Sequence, residues 1–375
     1  MRILAVELRR LELELVTPLV TATGTHRRRP VILVHLETES GGGDGECDAL
    51  AEPGYTAEYA DAAEAVLAGR LIPLLLARDG RAGEVGTAED ALGRLAAVPG
   101  NPMAKAAVEM ALLDAELRAT GRSLAASLGV TRPSIPAGAT VGIGSVAGVI
   151  DAARAAVACG YRRVKLKIAP GHDVGLLAAL RQELPDVTLV ADANGSYDLA
   201  DPDDRAALRA IDELGLAAIE QPLAAGDLVG SARLAGELAT PVILDESIDS
   251  PASAEAALAA RACAGVSVKP ARLGGIGAAV RVHDVCVAAG VHLSIGGMLE
   301  AGLARAATIA VGALHGFDLP GDLGASDRYF RPDVTAPHVL VNGELAVPAG
   351  QGLGVELDAA VVGAVSARCR AFRPS

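Results

Sequence analysis

Tryptophan is absent from the 375-residue chain, and with 3 Phe and 5 Tyr the aromatic share is only 2%. A core without rings has to be packed from Ala, Val, Leu and Ile, and a hydrophobic content of 51% supplies them, which argues against disorder. Cysteine is scarce too. Cys47, Cys159, Cys263, Cys286 and Cys369 form no CxxC pair, so neither a disulfide framework nor a structural zinc site is expected. Positive charge is in deficit: 33 Lys and Arg against 46 Asp and Glu leave −13, which argues against nucleic-acid and anionic-membrane partners. Long apolar runs are missing. Leu71-Ile72-Pro73-Leu74-Leu75-Leu76 falls well short of a membrane span, and Arg2 and Glu7 come too early for a signal peptide. The expectation is a soluble, cytoplasmic protein. An acidic protein can still hold an anionic substrate where a metal ion supplies the local positive charge.

The length suggests two domains, or one large α/β barrel with an addition. Residues 2–16 read as a strand, Thr17 to Arg29 as a loop, and Val31 to Thr38 as a second strand, with Gly41-Gly42-Gly43-Asp44-Gly45 as a hairpin turn. Ala57–Leu76, Thr87–Leu95 and Asn101–Ala119 have helical periodicity, the last with Pro102 near its start and Gly121 after its end. Residues 1–125 are therefore expected to form an α+β unit. From Ile135, short apolar strands alternate with Ala- and Leu-rich helices at Val146–Ala158, Asp173–Glu183, Asp203–Leu214, Asp227–Leu238, Ser253–Ala262 and Ala278–Ala289. Repeated right-handed βαβ crossovers without a dinucleotide fingerprint point to an α/β fold of the TIM-barrel type over residues 126–320. The loose spacing Gly142-Ile143-Gly144 through Gly148 reads as a strand-to-helix turn. Residues 321–375 are expected to pack back on barrel and cap, with a hairpin at Val339–Leu345 and a last helix from Asp358 to Cys369.

Within the repeat, Lys165 and Lys167 fall on one face of a strand, with Val164, Leu166 and Ile168 on the other. Asp192, Glu220, Asp245 and Lys269 then follow at intervals of 27, 28, 25 and 24 residues, each closing a short apolar run. In a barrel such strand ends converge on one mouth. Three carboxylates crowded together cannot all stay ionised without a cation, and an oxygen-only set suits Mg²⁺. Taken singly, each is also a plausible helix cap. A lysine near a metal and a second ammonium group is expected to have a lowered pKa and to serve as a base.

The set Lys165-Leu166-Lys167, Asp192-Ala193-Asn194, Glu220-Gln221-Pro222, Asp245-Glu246-Ser247 and Lys269-Pro270 resembles the enolase superfamily, muconate-lactonizing subgroup. Tyr161 through Ile168, Arg281-Val282-His283-Asp284-Val285, Gly296-Gly297-Met298-Leu299-Glu300 and Leu319 through Tyr329 resemble its o-succinylbenzoate synthase/N-acylamino acid racemase family. Asn101-Pro102-Met103-Ala104-Lys105 and Val108-Glu109-Met110-Ala111 extend the likeness to the first domain. The resemblance implies a modified seven- or eight-stranded β/α barrel with an α+β cap. It further implies Mg²⁺, or Mn²⁺ in its place, on Asp192, Glu220 and Asp245. Lys167 would be the base on one face of a small carboxylate substrate, Lys269 the acid/base or stabilising cation on the other, and Lys165 the group that tunes Lys167 and meets the substrate carboxylate. Thr140, Asn194, Gly296, Gly297, Met298 and Leu299 would line the pocket, and Thr17–His26 would fold over it. A homo-oligomer is expected.

The implied reaction is removal of a proton α to a carboxylate, giving an enediolate: racemisation of N-acylamino acids, dehydration to o-succinylbenzoate, or both in one site. Muconate cycloisomerase and dipeptide epimerase activities remain open, as does a non-catalytic ligand-binding barrel. The chain departs from the family at four positions. Thr140 stands for Ser, Thr23 for an aromatic, Ser267 for Asn, and Ser294 lies where a Trp is usual, so an altered side-chain pocket is expected.

Overall fold

The computed structural model describes residues 1–22, 24–77, 87–319 and 321–374. Strands β1 (Ile3–Thr21), β2 (Gly24–Thr38) and β3 (Gly41–Cys47) form an antiparallel meander. Val6 and Leu8 of β1 point into the core. Leu11 and Leu13, an odd number of residues further along the same strand, lie on its opposite face and are buried there in a second cluster.

The expected loop at 17–29 is a correction. It is the far end of the β1–β2 hairpin, where Leu19 pairs with His26 and Val20 with Thr25. Pro18 lies in the unpaired gap between Glu14 and Leu19, where a missing N–H costs no ladder bond. The glycines 41–45 are a second correction, since they are strand and not turn. A Cβ on Gly43 would come within 2.3 Å of the Ala111 carbonyl, and one on Gly45 within 2.0 Å of the Ala107 carbonyl. Glycine lets β3 lie directly on the helix Pro102–Ala119. That helix begins with Pro102, and the Glu58 carboxylate accepts from the backbone N–H groups of Met103 (2.8 Å) and Ala104 (2.9 Å).

Strand β4 (Ser134–Pro136) leads into a parallel sheet of seven: β5 (Gly138–Val141), β6 (Arg163–Lys167), β7 (Thr188–Asp192), β8 (Ala218–Glu220), β9 (Val242–Leu244), β10 (Gly265–Val268) and β11 (His292–Ile295). Each pairs with the next in sequence. The intervening helices lie at Val146–Ala158, Val174–Glu183, Pro202–Asp212, Leu228–Glu237, Pro251–Ala259 and Ile276–Ala289, close to the expected spans.

The eighth stave is irregular backbone. Leu319 and Asp322 donate to the carbonyls of Leu293 and Ile295 on β11, while Gly138 of β5 donates to Leu323. A Cβ on Gly321 would meet Ile295 at 2.5 Å, so a bare backbone is what fits in this gap. The result is a modified barrel.

Cap and barrel are joined by carboxylates at helix starts. Glu46 of β3 accepts from the N–H groups of Ala301 (2.6 Å) and Ala304 (2.9 Å), at the start of Gly302–Gly312. Glu109 accepts from Gly277 (3.0 Å) at the start of Ile276–Ala289. Both satisfy N–H groups that a helix leaves without internal partners. In the tail, β12 (Leu340–Val341) and β13 (Glu344–Ala346) form the expected hairpin, and β13 pairs with β4. The last helix is shorter than expected. It ends at Val365, and β14 (Ser366–Phe372) then pairs with the open edge of β1, completing the sheet order β14-β1-β2-β3.

Candidate active site

Strand β6 turns Val164, Leu166 and Ile168 into an apolar cluster and Arg163, Lys165 and Lys167 to the barrel interior. Lys165 is 1% exposed. Its Nζ lies 2.8 Å from Asp192, 2.9 Å from Glu220 and 2.5 Å from Asp322. Lys167 Nζ donates to Asp192 Oδ2 (2.7 Å) and Asn194 Oδ1 (2.8 Å), and Asn194 Nδ2 donates to Glu246 Oε1 (2.7 Å). Four strands on, Lys269 Nζ donates to Asp245 Oδ2 (2.8 Å) and to the hydroxyl of Tyr55 (2.9 Å). Arg272, one helical turn further, donates to Asp245 Oδ1 and to the same hydroxyl.

Above these residues opens a cleft between barrel and cap. Lys167, Asn194 and Lys269 line it at the barrel rim, with Thr140, Asp322, Gly297, Met298 and Leu299 beside them. Leu19, Thr21 and His26 of the hairpin, with Leu50 and Tyr55, line it from the cap. Asp192, Glu220, Asp245 and Lys165 lie behind the lining, buried. Gly296 is buried against Lys269, where a Cβ would stand 2.6 Å from Lys269 Cε.

Burial pushes the Lys269 ammonium down, but Asp245 and Tyr55 together outweigh it and raise the group well above its ordinary value. Lys165 is raised likewise by Asp192, Asp322 and Glu220 against burial. Carboxylates are the nearest charges to both ammonium groups. Burial pushes Asp245 up, and Arg272 and Lys269 reverse that, holding its carboxyl well below the usual range. Among the described residues Glu246 has no ion-pair partner. Burial, Asp245 and Asp192 push it up to about 7, and its Oε2 is buried without a hydrogen bond.

Protein cations stand among these carboxylates. Asp192, Glu220, Asp245, Glu246 and Asp322 face Lys165, Lys167, Lys269, Arg272 and Arg163. Among the described residues, no three acidic, His or Cys side chains are arranged as a metal-binding group as they stand. The donor set nevertheless fits a hard cation in kind. Asp192 and Glu220 already share one positive group, the Lys165 ammonium, and all three expected ligands present only oxygen.

Two family models together span most of the chain. The mandelate racemase/muconate lactonizing enzyme N-terminal domain matches residues 5–129, and the enolase C-terminal domain-like model matches 148–361. An N-succinylamino acid racemase from Amycolatopsis sp is 47% identical over 357 residues, 95% of each chain. The chain belongs to the o-succinylbenzoate synthase/N-acylamino acid racemase family of the enolase superfamily. An o-succinylbenzoate synthase from Geobacillus stearothermophilus is 42% identical over 354 residues, 94% of this chain and 92% of that one. The crystal structure of an enolase superfamily member from Listeria innocua superposes with a TM-score of 0.93 at 35% identity, covering 100% of both chains. As a family member, the chain is an enzyme.

Of the departures from the family pattern, Thr140 lines the cleft, and Thr23 lies outside the described residues. Ser294 does not face the cleft, contrary to expectation. It is buried on β11 beside its strand neighbour Ser267, 3.4 Å from Arg163 Nη1. Tyr55, Arg272 and Asp322 were missed. Tyr55 carried no signal beyond being one of few aromatics. Arg272 follows Lys269 by one helical turn, a spacing that could have drawn notice. Asp322 lies in the turn-rich stretch assigned to the tail.

Proposed function

We propose that this enzyme removes the proton α to the carboxylate of an N-acylamino acid and returns it on either face, racemising N-succinylamino acids, with o-succinylbenzoate formation as a second reaction. The observation that carries the reading is that two ammonium groups, from β6 and β10, line one cleft, each fixed by a buried carboxylate. The similarity to an N-succinylamino acid racemase and to an o-succinylbenzoate synthase supports the substrate class.

Asp192, Glu220 and Asp245 would hold Mg²⁺, with Mn²⁺ able to replace it. When bound, the cation supplies positive charge for an incoming substrate carboxylate and its enediolate, beyond what Lys165, Lys167 and Lys269 already share with the buried carboxylates. Lys167 Nζ, oriented by Asn194 and Asp192, takes the α-proton from one face. Lys269 Nζ, oriented by Tyr55 and Asp245, delivers a proton to the other. Dehydration asks for less. Lys167 alone serves as base and then acid, while Lys269 stabilises the enediolate by its charge. Leu19, Leu50, Met298 and Leu299 give the cleft an apolar wall that excludes water from the reacting atoms.

The test is solvent deuterium exchange at Cα of both enantiomers of an N-succinylamino acid with Mg²⁺ present, followed by NMR. Incorporation into both, with loss of optical rotation, is expected. Absence of exchange in either enantiomer overturns the racemase reading, and muconate or a dipeptide turned over in its place would assign one of the open alternatives.

A further inference from the structure

Arg29 stands on β2, three residues past the cleft-lining His26, and is 1% exposed. A guanidinium has five N–H donors in a rigid fork. Here five backbone carbonyls accept from it. Nε donates to Leu299 (3.2 Å), Nη1 to Pro30 (3.2 Å) and Ala49 (2.6 Å), and Nη2 to Met298 (3.2 Å) and Asp48. Among the described residues no carboxylate pairs with it directly, although Asp48 and Glu46 lie close enough to supply countercharge. A buried cation bonded only to backbone reads no side chain. It fixes chain positions.

The chains it fixes form the apolar wall of the cleft. Ala49 immediately precedes Leu50, and Met298 and Leu299 are themselves wall residues. Leu299 has φ +55°, a left-handed conformation that a leucine adopts only where its surroundings impose it. The consecutive carbonyls of Met298 and Leu299 both accept from this one guanidinium. The N–H groups of the same loop are held from the other side, Met298 by Glu300 and Gly297 by Asp322 Oδ1 at 3.0 Å. Cap and barrel loop are thus set against each other through one side chain.

We propose that Arg29 is a specificity-determining positioning residue: by holding Ala49–Leu50 of the cap against Met298–Leu299 of the barrel, it sets the width of the apolar wall that receives the substrate's side chain. The inference rests on the proposed function only in taking this cleft as the substrate site. Arg29 touches no reacting atom, so its loss acts on the fit of the side chain and leaves proton transfer by Lys167 and Lys269 in place. A lysine in its position has three donors for five carbonyls and no planar fork.

The experiment compares the Mg²⁺-loaded wild type with R29K, R29Q and the control D114N. Asp114 is buried, accepts from the N–H groups of Asp44 and Leu353, and does not line the cleft. KM and kcat are measured for N-succinyl derivatives of a small and a large amino acid, and backbone amide exchange is followed over residues 48–52 and 296–301. For R29K the ratio of kcat/KM between the two substrates should move about tenfold, almost all of it in KM. Both segments should gain exchange together. An unchanged ratio, a loss confined to kcat, or an equal shift in D114N at matched melting temperature would overturn the proposal, as would failure of both Arg29 variants to fold. If the wild type exchanges no N-acylamino acid at all, the function reading falls, and the amide exchange of the two segments alone decides whether Arg29 is the fastener.

Discussion

The hydroxyl of Tyr55, contributed by the cap, donates to Asp245 Oδ2 at the barrel rim at 3.0 Å. That hydroxyl also accepts from Lys269 and Arg272, so one cap side chain closes a buried ring of four polar groups beneath one wall of the cleft. The Lys269 ammonium also lies 4.9 Å from the centre of the Tyr55 aromatic ring, which adds a cation–π contact. The position of Lys269 therefore depends on whether the cap is seated.

Tyr55→Phe keeps the ring and removes the hydroxyl. A hydrogen bond to a charged group is worth about 1.5–3 kcal/mol, so exchange of the enantiomer served by Lys269 should slow by roughly 10- to 100-fold. Exchange on the Lys167 side should change far less. Deuterium incorporation into each enantiomer separately is the measurement, and equal loss on both sides would show that Tyr55 acts on the cleft as a whole.

What the sequence made legible follows from periodicity. Lys165 and Lys167 lie in β6, and Asp192, Glu220, Asp245 and Lys269 lie at or one residue past the ends of regular strands, so their even spacing gives the rim away before any coordinate is known. Asp322 closes no apolar run, because the eighth stave is irregular backbone held between β11 and β5 by a few hydrogen bonds. Tyr55 and Arg29 reach the site from another layer, and tertiary approach leaves no local pattern. The glycines of β3 misled for a related reason. Their role is set by the helix they touch, whereas glycine in a sequence usually marks a turn. The tail was misread because Ala359–Val365 runs straight into residues that the free edge of β1 captures as strand. Ser294 was assigned to the cleft because alternation alone cannot tell the depth of a residue along a barrel strand.

Metal binding can be tested without turnover. After dialysis against a chelator, added Mg²⁺ should raise the melting temperature, and a ligand at about 100 times its Kd stabilises by roughly 2.7 kcal/mol. Asp192→Asn, which takes one charge from the pair sharing Lys165, should abolish most of that shift. Activity should vanish in excess chelator and return with Mg²⁺ or Mn²⁺. An identical shift in Asp192→Asn and wild type would move the cation elsewhere.

A second stability measurement concerns Glu109, whose carboxyl is pushed by burial from 4.5 up to about 7 against the backbone N–H groups of Gly277 and Ile276. A raised carboxyl binds its proton more tightly folded than unfolded. Its contribution is fully present below about pH 4.5 and is lost as pH rises towards 7, a change of about 3 kcal/mol at most. Glu109→Gln keeps the acceptor for Gly277 and removes the titration. The variant should therefore melt above wild type at pH 8, with the gap closing by pH 5. A gap independent of pH would mean that Glu109 stays ionised in the folded chain.

The remaining prediction separates one base from two. If Lys167 and Lys269 each exchange protons on their own face, Lys167→Ala should stop α-hydrogen exchange of one enantiomer and leave measurable exchange of the other, and Lys269→Ala should do the reverse. Racemisation should vanish in both, because inversion requires removal on one face and delivery on the other. Lys269→Arg keeps the positive charge beside Asp245 but is a poor proton carrier near neutral pH. Since dehydration needs only that charge, Lys269→Arg should harm racemisation far more than o-succinylbenzoate formation, which is read by assaying both reactions on one preparation. Equal loss of the two activities would mean that Lys269 serves geometry alone, holding Tyr55 and Asp245 in place, and a one-base mechanism through Lys167 would have to account for the exchange that remains.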